Sequence, residues 1–569
     1  MRIRAARTVR IVAVLGALTL IAAACSSDGG SGDDGDSGTP TKGGSAVFGA
    51  EQWPQCLNPI TSCAFASWYS YTIQQQVMPR LVSLDTSGNY IPDLATEVPS
   101  LENGMITEDP FTVTFNLDPE ANWEDGTPIT SEDIEFTWLA QLNTPGAIST
   151  VGYQDIESMD TSDPKTVVME FSKVYVDWAE LFGGGLQFVL KKAAFPDADA
   201  DKPDLSQEMQ DEVPFSGGPW ILDSWDKSEA TLSRNDAFWG QVPYLDQVSF
   251  VRRQNQSTEI NSLKSGEVDA IFPQPSNVSL IDQFADTPAI LTAGGGSPFW
   301  EAIHFNHEAP PLDDQDVREG IMYALNRDAV NSTLVKINAP ESEVLNCYGW
   351  LPTVGEWCDN TDFAEFTYDP EAAKAAFERA GYDCSSTPCE KDGEPLTIEY
   401  VTTAGNDRRE DTQALLKEGA VAAGLDLDIK TEDPTFLFSN LLPKGEFQMT
   451  EFAFGGSPSP SVTSISACDQ IPTEENDFSG QNNDFWCNED ASKLMAQSDE
   501  ELDPNKRLEQ IHAIGDFTVE DRVGLPMYVL PQLTAWRSDK IAGPIDEYNE
   551  TIYSSFFNMN EWYLVGGGS

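Results

Sequence analysis

Three histidines, His304, His307 and His512, are the only imidazoles this 569-residue chain could use as bases or metal ligands. His304 and His307 are separated by two residues, Phe305 and Asn306, on a stretch that reads as a strand, where this spacing sends side chains to opposite faces, so a shared metal is not expected. Neither H-E-x-x-H nor G-x-S-x-G occurs. Gly455-Gly456-Ser457-Pro458-Ser459 lacks the closing glycine of a nucleophile elbow, and Gly294-Gly295-Gly296-Ser297 has no following lysine to hold a phosphate. Acidic pairs are everywhere among 93 Asp and Glu, so their proximity carries no weight for general acid–base work. An anchored hydrolase is the rival reading from a different class, but the expectation is a chain that is not an enzyme and uses no metal and no cofactor.

The cysteines speak of compartment. Arg2, Arg4, Arg7 and Arg10 precede an uncharged run from Ile11 to Ala24 that ends at Cys25. The run is too short to span a bilayer comfortably, and residues 1–24 have the tripartite layout of an export signal that is removed. Ala22-Ala23-Ala24-Cys25 resembles the bacterial lipobox, with Ala22 where a leucine usually stands, so Cys25 is expected to be lipidated. Residues 25–45 then read as the lipidated cysteine and a flexible Ser/Gly/Asp tether. An extracytoplasmic chain is expected, anchored to the outer face of the cell membrane, within the periplasmic space if an outer membrane exists. Eight further cysteines fall into neighbouring pairs, and an even count in an exported chain suggests disulfides. The local pairing Cys56–Cys63, Cys347–Cys358, Cys384–Cys389 and Cys468–Cys487 is favoured because each pair lies within one plausible loop; other connectivities stay open. With no C-x-x-C and three histidines, a zinc site is not expected.

The elements that must position any site come next. The length exceeds what one hydrophobic core supports, so two or three lobes are expected, and 40% apolar residues with 14 Trp, 29 Phe and 15 Tyr supply ample core. A formal charge of -60, from 33 basic and 93 acidic residues, repels nucleic acid and anionic lipid; it fits attraction of cationic solutes, salt adaptation or simply a solvated surface. Strand and helix signals alternate irregularly, as in an α/β or α+β protein. Phe111 to Phe115 alternates apolar and polar, a half-buried strand. Thr130 with Asp133 predicts a capped helix whose stripe is Ile134, Trp138, Leu139 and Leu142. A second helix follows Asp313-Asp314, with Val317, Ile321, Ala324 and Leu325 at helical spacing. A third has Asp369 as cap, Pro370 in the first turn, Ala373, Ala376 and Phe377 inward, and Gly381 at its close.

A series of motifs runs in order from about Gly43 to Arg537. It comprises Leu57-Asn58-Pro59, Arg80 to Asp85, Ile91 to Ala95, and Trp123-Glu124-Asp125-Gly126-Thr127-Pro128 ahead of the Thr130 helix. Gly217-Gly218-Pro219-Trp220, Asn235 to Trp239, Tyr244-Leu245-Asp246 and Lys264 to Asp269 follow. Phe305-Asn306, Pro310-Pro311, Asp314, Val317-Arg318, Asn326-Arg327-Asp328 and Tyr368 to Tyr382 complete it. This series resembles the extracellular solute-binding proteins of family 5, the oligopeptide, dipeptide and nickel receptors of ABC importers. The resemblance implies an α/β fold of mixed α+β lobes, bilobal and periplasmic-binding-protein type II-like, with an additional inserted lobe. Lobe I would comprise 46–85, 209–303 and 527–569 with the C-terminal tail, the inserted lobe II 86–208, and lobe III 304–526. Two crossing strands near residues 303 and 527 would form the hinge about which the lobes close on a solute. It further implies a monomer that delivers a peptide or peptide-like solute to permease subunits served by a separate ATPase, touches the membrane through its lipid only and binds no nucleic acid. A non-peptide organic solute, or a sensory module presenting its ligand to a receptor, are the alternatives on the same fold.

By the same resemblance, ligand contacts fall on three segments. The first-lobe loop contributes Phe65, Ser67 and Trp68, the third-lobe loop Thr402, Thr403 and Asn406, and an extended segment Phe454, Gly455, Gly456 and Ser457, with Trp300 nearby. Peptide-binding members carry in that extended segment an aspartate that pairs with the ligand ammonium. None stands between Phe452 and Pro460 here. A buried ammonium without a carboxylate is costly, so either another acid supplies the charge or the ligand lacks a free amine. Core packing is the competing role for Phe65, Trp68, Trp300 and Phe454. Helix capping competes for Asn406, and turn formation for Ser67 and Ser457.

Overall fold

The computed structural model of the protein describes residues 40–566 apart from 51–52, 65–69, 184–186, 274–277, 296, 298, 351–356, 359, 456–458, 460, 550 and 552–553. Cys25, Phe65, Ser67, Trp68, Gly456 and Ser457 therefore lie outside the described residues.

Three sheets organise the chain. In the first, seven strands lie in the order Ile290–Gly295, Gln532–Arg537, Ala270–Ile271, Ser45–Ala50, Gln247–Arg252, Glu229–Arg234 and Trp220–Trp225. Ser45–Ala50 runs parallel to both its neighbours, and its Phe48 is fully buried against Phe250, Phe272, Phe556 and Trp562. The second sheet is antiparallel: Ile106–Glu108, Phe111–Asn116, Thr166–Phe171 and Ile156–Asp163. Phe111, Val113 and Phe115 are buried, as the alternation predicts. The third is mixed, in the order Asp426–Glu432, Thr397–Thr403, Met449–Gly455, Phe299–Phe305 and Gly524–Val529.

One continuous apolar core joins the first two sheets, running from Phe48 through Trp220 to Val113, Phe115 and Trp123. The third sheet has its own, centred on Ile303, Phe305, Tyr400 and Leu525. The chain passes between the first and third sheets twice, from Gly295 to Phe299 and from Val529 to Gln532. Both crossovers lie a few residues away from positions 303 and 527. Phe299–Phe305 and Gly524–Val529 pair with each other inside the third sheet, because their apolar faces are buried there. Phe299, at the crossover, packs on both cores.

Helix starts follow the local chemistry. Thr130 and Asp133 form a reciprocal capping box at the head of Ser131–Asn143. The buried face of that helix departs from the apolar stripe. Ile134 is buried, but Trp138, Leu139 and Leu142 are only partly so, while Asp133, Thr137 and Gln141 are buried. The reason is polar: these three bond the Lys192 N–H, the Leu190 N–H and the Ser149 carbonyl, stitching the helix to loops on both sides. Asp314 caps Gln315–Ala324, and Asp369 caps Pro370–Arg379, with Gly381 at φ +91° just beyond.

Several motif residues serve the backbone. Trp123 is buried against Phe215. Asp246 and Asp269 accept the N–H groups of Gly44 and Val47, pinning the first strand. Arg318 donates to the carbonyls of Leu312, Asp521 and Arg522, and Arg327 to those of Leu345, Phe363, Phe366 and Pro526. The eight cysteines form the four local disulfides, with Cα–Cα separations of 5.4 Å for Cys56–Cys63, 5.7 Å for Cys347–Cys358, 4.2 Å for Cys384–Cys389 and 4.6 Å for Cys468–Cys487. No helix among the described residues is long and apolar enough to cross a membrane.

Candidate ligand-binding site

Thr397–Thr403 and Met449–Gly455 run parallel, so their carboxyl ends open on the same edge of the third sheet. Open α/β sheets bind ligands at such ends. Trp300 pairs with Phe454 and Phe299 with Gly455, which brings the first crossover to the same edge. The structure thus gathers Thr402, Thr403, Phe454, Gly455 and Trp300 there, with Asn406 following on the loop into the helix Asp407–Ala422. Across from them stands the first lobe. Gly405 adopts φ +79°, and a Cβ on it would sit 2.9 Å from the Gln254 carbonyl oxygen, so this loop runs against first-lobe backbone where only glycine fits. The Ser439 hydroxyl donates to the Ser62 carbonyl at 3.4 Å beside the Cys56–Cys63 loop.

The candidate side chains differ in what they still offer. Thr402 Oγ1 donates to the Glu451 carbonyl at 2.9 Å, and Thr403 Oγ1 accepts from Arg409 at 3.0 Å; both threonines are buried. Asn406 caps its helix through Oδ1, which accepts the Arg409 N–H at 3.2 Å, while its Nδ2 is buried with no hydrogen-bond acceptor. Gly455 is exposed and Phe454 half-buried, touching two apolar clusters. Trp300 is only 1% exposed, with ring centroids 5.2 Å from Tyr348 and 5.6 Å from Phe454. Its surroundings are those of a core residue.

Beneath this edge lies a charged network that the sequence reading missed. Glu301 and Glu451 point to one face of the sheet, where Arg408 and Arg409 from the packed helix meet them. Glu301 accepts from Arg408 Nη2 and from Arg409 Nε, each at 2.8 Å, and Arg408 also donates to the Tyr528 hydroxyl. Tyr400 donates to Glu451 Oε2 at 2.5 Å. Glu301, Arg408, Glu451, Tyr400 and Tyr528 are all fully buried. Burial by itself would raise the Glu301 carboxyl, but Arg408 and Arg409 outweigh it and hold that group below the ordinary range. Burial, then Glu301 beside it, push Glu451 up from 4.5 to about 8. The signal for this network was available in principle: one glutamate in the middle of each of two apolar strands, Phe299 to Phe305 and Met449 to Phe454, with adjacent arginines at a helix start.

A pH dependence follows. Folded Glu451 holds its proton up to about pH 8 and an unfolded glutamate only to about 4.5, so this group's stabilising contribution is complete below 4.5 and is lost as pH rises through 8. Glu451→Gln should flatten the fall in stability between about pH 5 and about pH 9. Parallel urea midpoints for the two proteins across that range would refute it.

The opposite face of the same strands is aromatic. His304 stacks on Phe452 at 3.8 Å between centroids, its Nδ1 3.0 Å from Asp484 Oδ1, and the Tyr348 hydroxyl donates to Asp484 Oδ2 at 2.7 Å. His307 lies past the strand end and donates from Nε2 to the Val523 carbonyl, with burial lowering it to about 4. The two imidazoles thus bond different groups, while the His307 backbone N–H donates to the Asp484 carbonyl at 2.9 Å.

Two bodies of sheet and helix, each with its own core and joined by two crossovers, make up a bilobal α/β fold. The model of the bacterial extracellular solute-binding proteins, family 5 Middle, matches residues 89–470, and the chain belongs to this family. It is 25% identical over 444 residues to the oligopeptide-binding protein OppA of Mycobacterium tuberculosis, covering 75% of this chain and 71% of that one. Among solved structures it resembles the oligopeptide-binding protein AppA of Bacillus subtilis in complex with a nonapeptide, with TM-score 0.80, 19% identity, and 93% and 100% of the two chains covered. The periplasmic EDTA-binding protein EppA gives TM-score 0.79 at 21% identity over 93% and 97%. The chain is a solute-binding protein, not an enzyme.

Proposed function

We propose that this protein is the extracytoplasmic receptor of an ABC importer, which captures a peptide or peptide-like solute between its first and third lobes and hands it to the permease. The observation that carries this reading is the paired carboxyl ends of Thr397–Thr403 and Met449–Gly455 facing first-lobe backbone beside both crossovers. Lobes joined by two short crossovers can close around a guest and expel its water. The oligopeptide-binding names of its relatives support the substrate class. So does the exposed Gly455, whose backbone can pair with an extended main chain. In this reading Cys25 carries lipid, the protein is a monomer tethered outside the membrane, and a separate ATPase drives transport.

A non-peptide organic solute is the second reading. It is favoured by the absence of any aspartate from Phe452 to Pro460 to meet a ligand ammonium.

Thermal-shift screening of the chain lacking residues 1–25 against peptides with free and acetylated amino ends, opine-like acids, chelates and sugars tests both. A binder present at 100 times its Kd adds about 2.7 kcal/mol of stability. A peptide hit supports the first reading and a hit confined to non-peptides the second. Hydrolytic turnover of any member, or no shift across the whole panel, overturns the receptor assignment. Phe454→Ala is expected to weaken the best binder by about tenfold or more, with little loss of stability because the ring is only half-buried. Isothermal titration would refute this by returning an unchanged Kd.

A further inference from the structure

Lobe II touches lobe III directly, away from the crossovers. The segment after Thr166–Phe171 is anchored in the first core by Tyr175 and Ala179, and it lies against the helices Glu489–Glu500 and Pro504–Glu520, which belong to the third-lobe core through Met495, Ile511 and Ile514. The Val176 N–H donates to the Asp499 carbonyl at 2.9 Å. Arg507 Nη2 pairs with Asp177 Oδ2, both side chains being buried. Lys173 Nζ bridges Asp155 on its own lobe, at 3.6 Å, to Glu500 across the seam, at 3.2 Å. A second contact lies apart from these: the Ser479 hydroxyl donates to the Ala147 carbonyl at 2.6 Å.

An ion pair buried between two separately cored bodies is desolvated only while they are docked, and its arginine and aspartate are both left in water when they part. We infer that Asp177 and Arg507, with the Val176–Asp499 bond beside them, form a clamp by which the inserted lobe holds lobe III in the closed position and so sets how long a captured solute stays. Lobe II is on this account part of the closing machinery and not a spacer.

The clamp has a built-in imbalance. One guanidinium, Arg507, faces two carboxylates, Asp177 and Asp499, beside the Tyr175 hydroxyl, with Lys173, Glu500 and Asp155 at the rim. Thr463 Oγ1 donates to Asp499 Oδ2 at 2.6 Å. Burial, and then Asp177, raise the Asp499 carboxyl from 3.8 to about 6. Docking brings Asp177 beside Asp499 and so favours its protonated form, which makes docking more favourable as pH falls through about 6.

The proposal rests on the closing motion proposed above, and one experiment separates the two. Spin labels on Glu157→Cys in lobe II and Lys493→Cys in lobe III, both exposed, report the distance across the seam by pulsed electron resonance. In the chain lacking residues 1–25 every native cysteine is in a disulfide, so labelling is selective. Asp177→Ala and Arg507→Ala should each raise the population with the longer distance by roughly tenfold, since breaking one partner of a buried pair is strongly unfavourable. The exchanged pair Asp177→Arg with Arg507→Asp should return it towards the parent. The parent's longer-distance population should shrink from about pH 7.5 to about pH 5.5, and Asp499→Asn should hold it small at both. Two distances that ignore all these substitutions overturn the clamp alone. A single distance in every variant at every pH overturns the closing motion and the clamp with it.

Discussion

Glu301→Gln is expected to lower the unfolding free energy by about 3–5 kcal/mol, read as a fall in the denaturant midpoint at unchanged slope. Among the described residues Glu301 is the carboxylate that bonds both Arg408 and Arg409, and it is fully buried with Arg408. Glutamine keeps the shape and one acceptor, so loss of hydrogen bonding alone would cost about 1 kcal/mol. The remainder is two guanidinium charges left in a buried interior, offset only in part by Glu451, which burial still pushes towards neutrality once Glu301 is gone. The same substitution at Glu451 should have the opposite sign near neutral pH, where that side chain already tends to hold a proton. Equal effects at the two positions would show that the network is held by shape and not by charge.

Trp300→Ala is the second large effect. The indole is 1% exposed and fills the space between Tyr348 and Phe454, so its removal should cost about 3–5 kcal/mol through lost transfer energy and an unfilled cavity. Measured below the lowered melting temperature, solute affinity should change little, in contrast to Phe454→Ala. A stable Trp300→Ala protein with weakened binding would reverse the assignment and put the indole in the cleft. His304, stacked on Phe452 in the same aromatic layer, would then also belong to the ligand's surroundings.

The helix caps at Thr130, Asp314 and Asp369, the alternation of Phe111 to Phe115, the local cysteine pairs and the ordered motif series were all legible because each depends on residues close together in sequence. The buried face of Ser131–Asn143 was not. Its Asp133, Thr137 and Gln141 are buried by partners at Lys192, Leu190 and Ser149, which no helical periodicity reports. The crossover positions were read a few residues away for the same reason. Whether Phe299–Phe305 completes one sheet or bridges two is decided by pairing with Met449–Gly455 and Gly524–Val529, far along the chain.

The sequence by itself determined the family, the capped helices and the local cysteine pairs. Only the tertiary structure decided that Glu301 and Glu451 share a face with Arg408 and Arg409, that Trp300 is buried while Phe454 is half-buried and Gly455 exposed, and that Asp177 pairs with Arg507. Caps, turns and short loops are governed by chemistry within a few residues, whereas a charge can be buried only where a partner from another strand or lobe arrives to neutralise it.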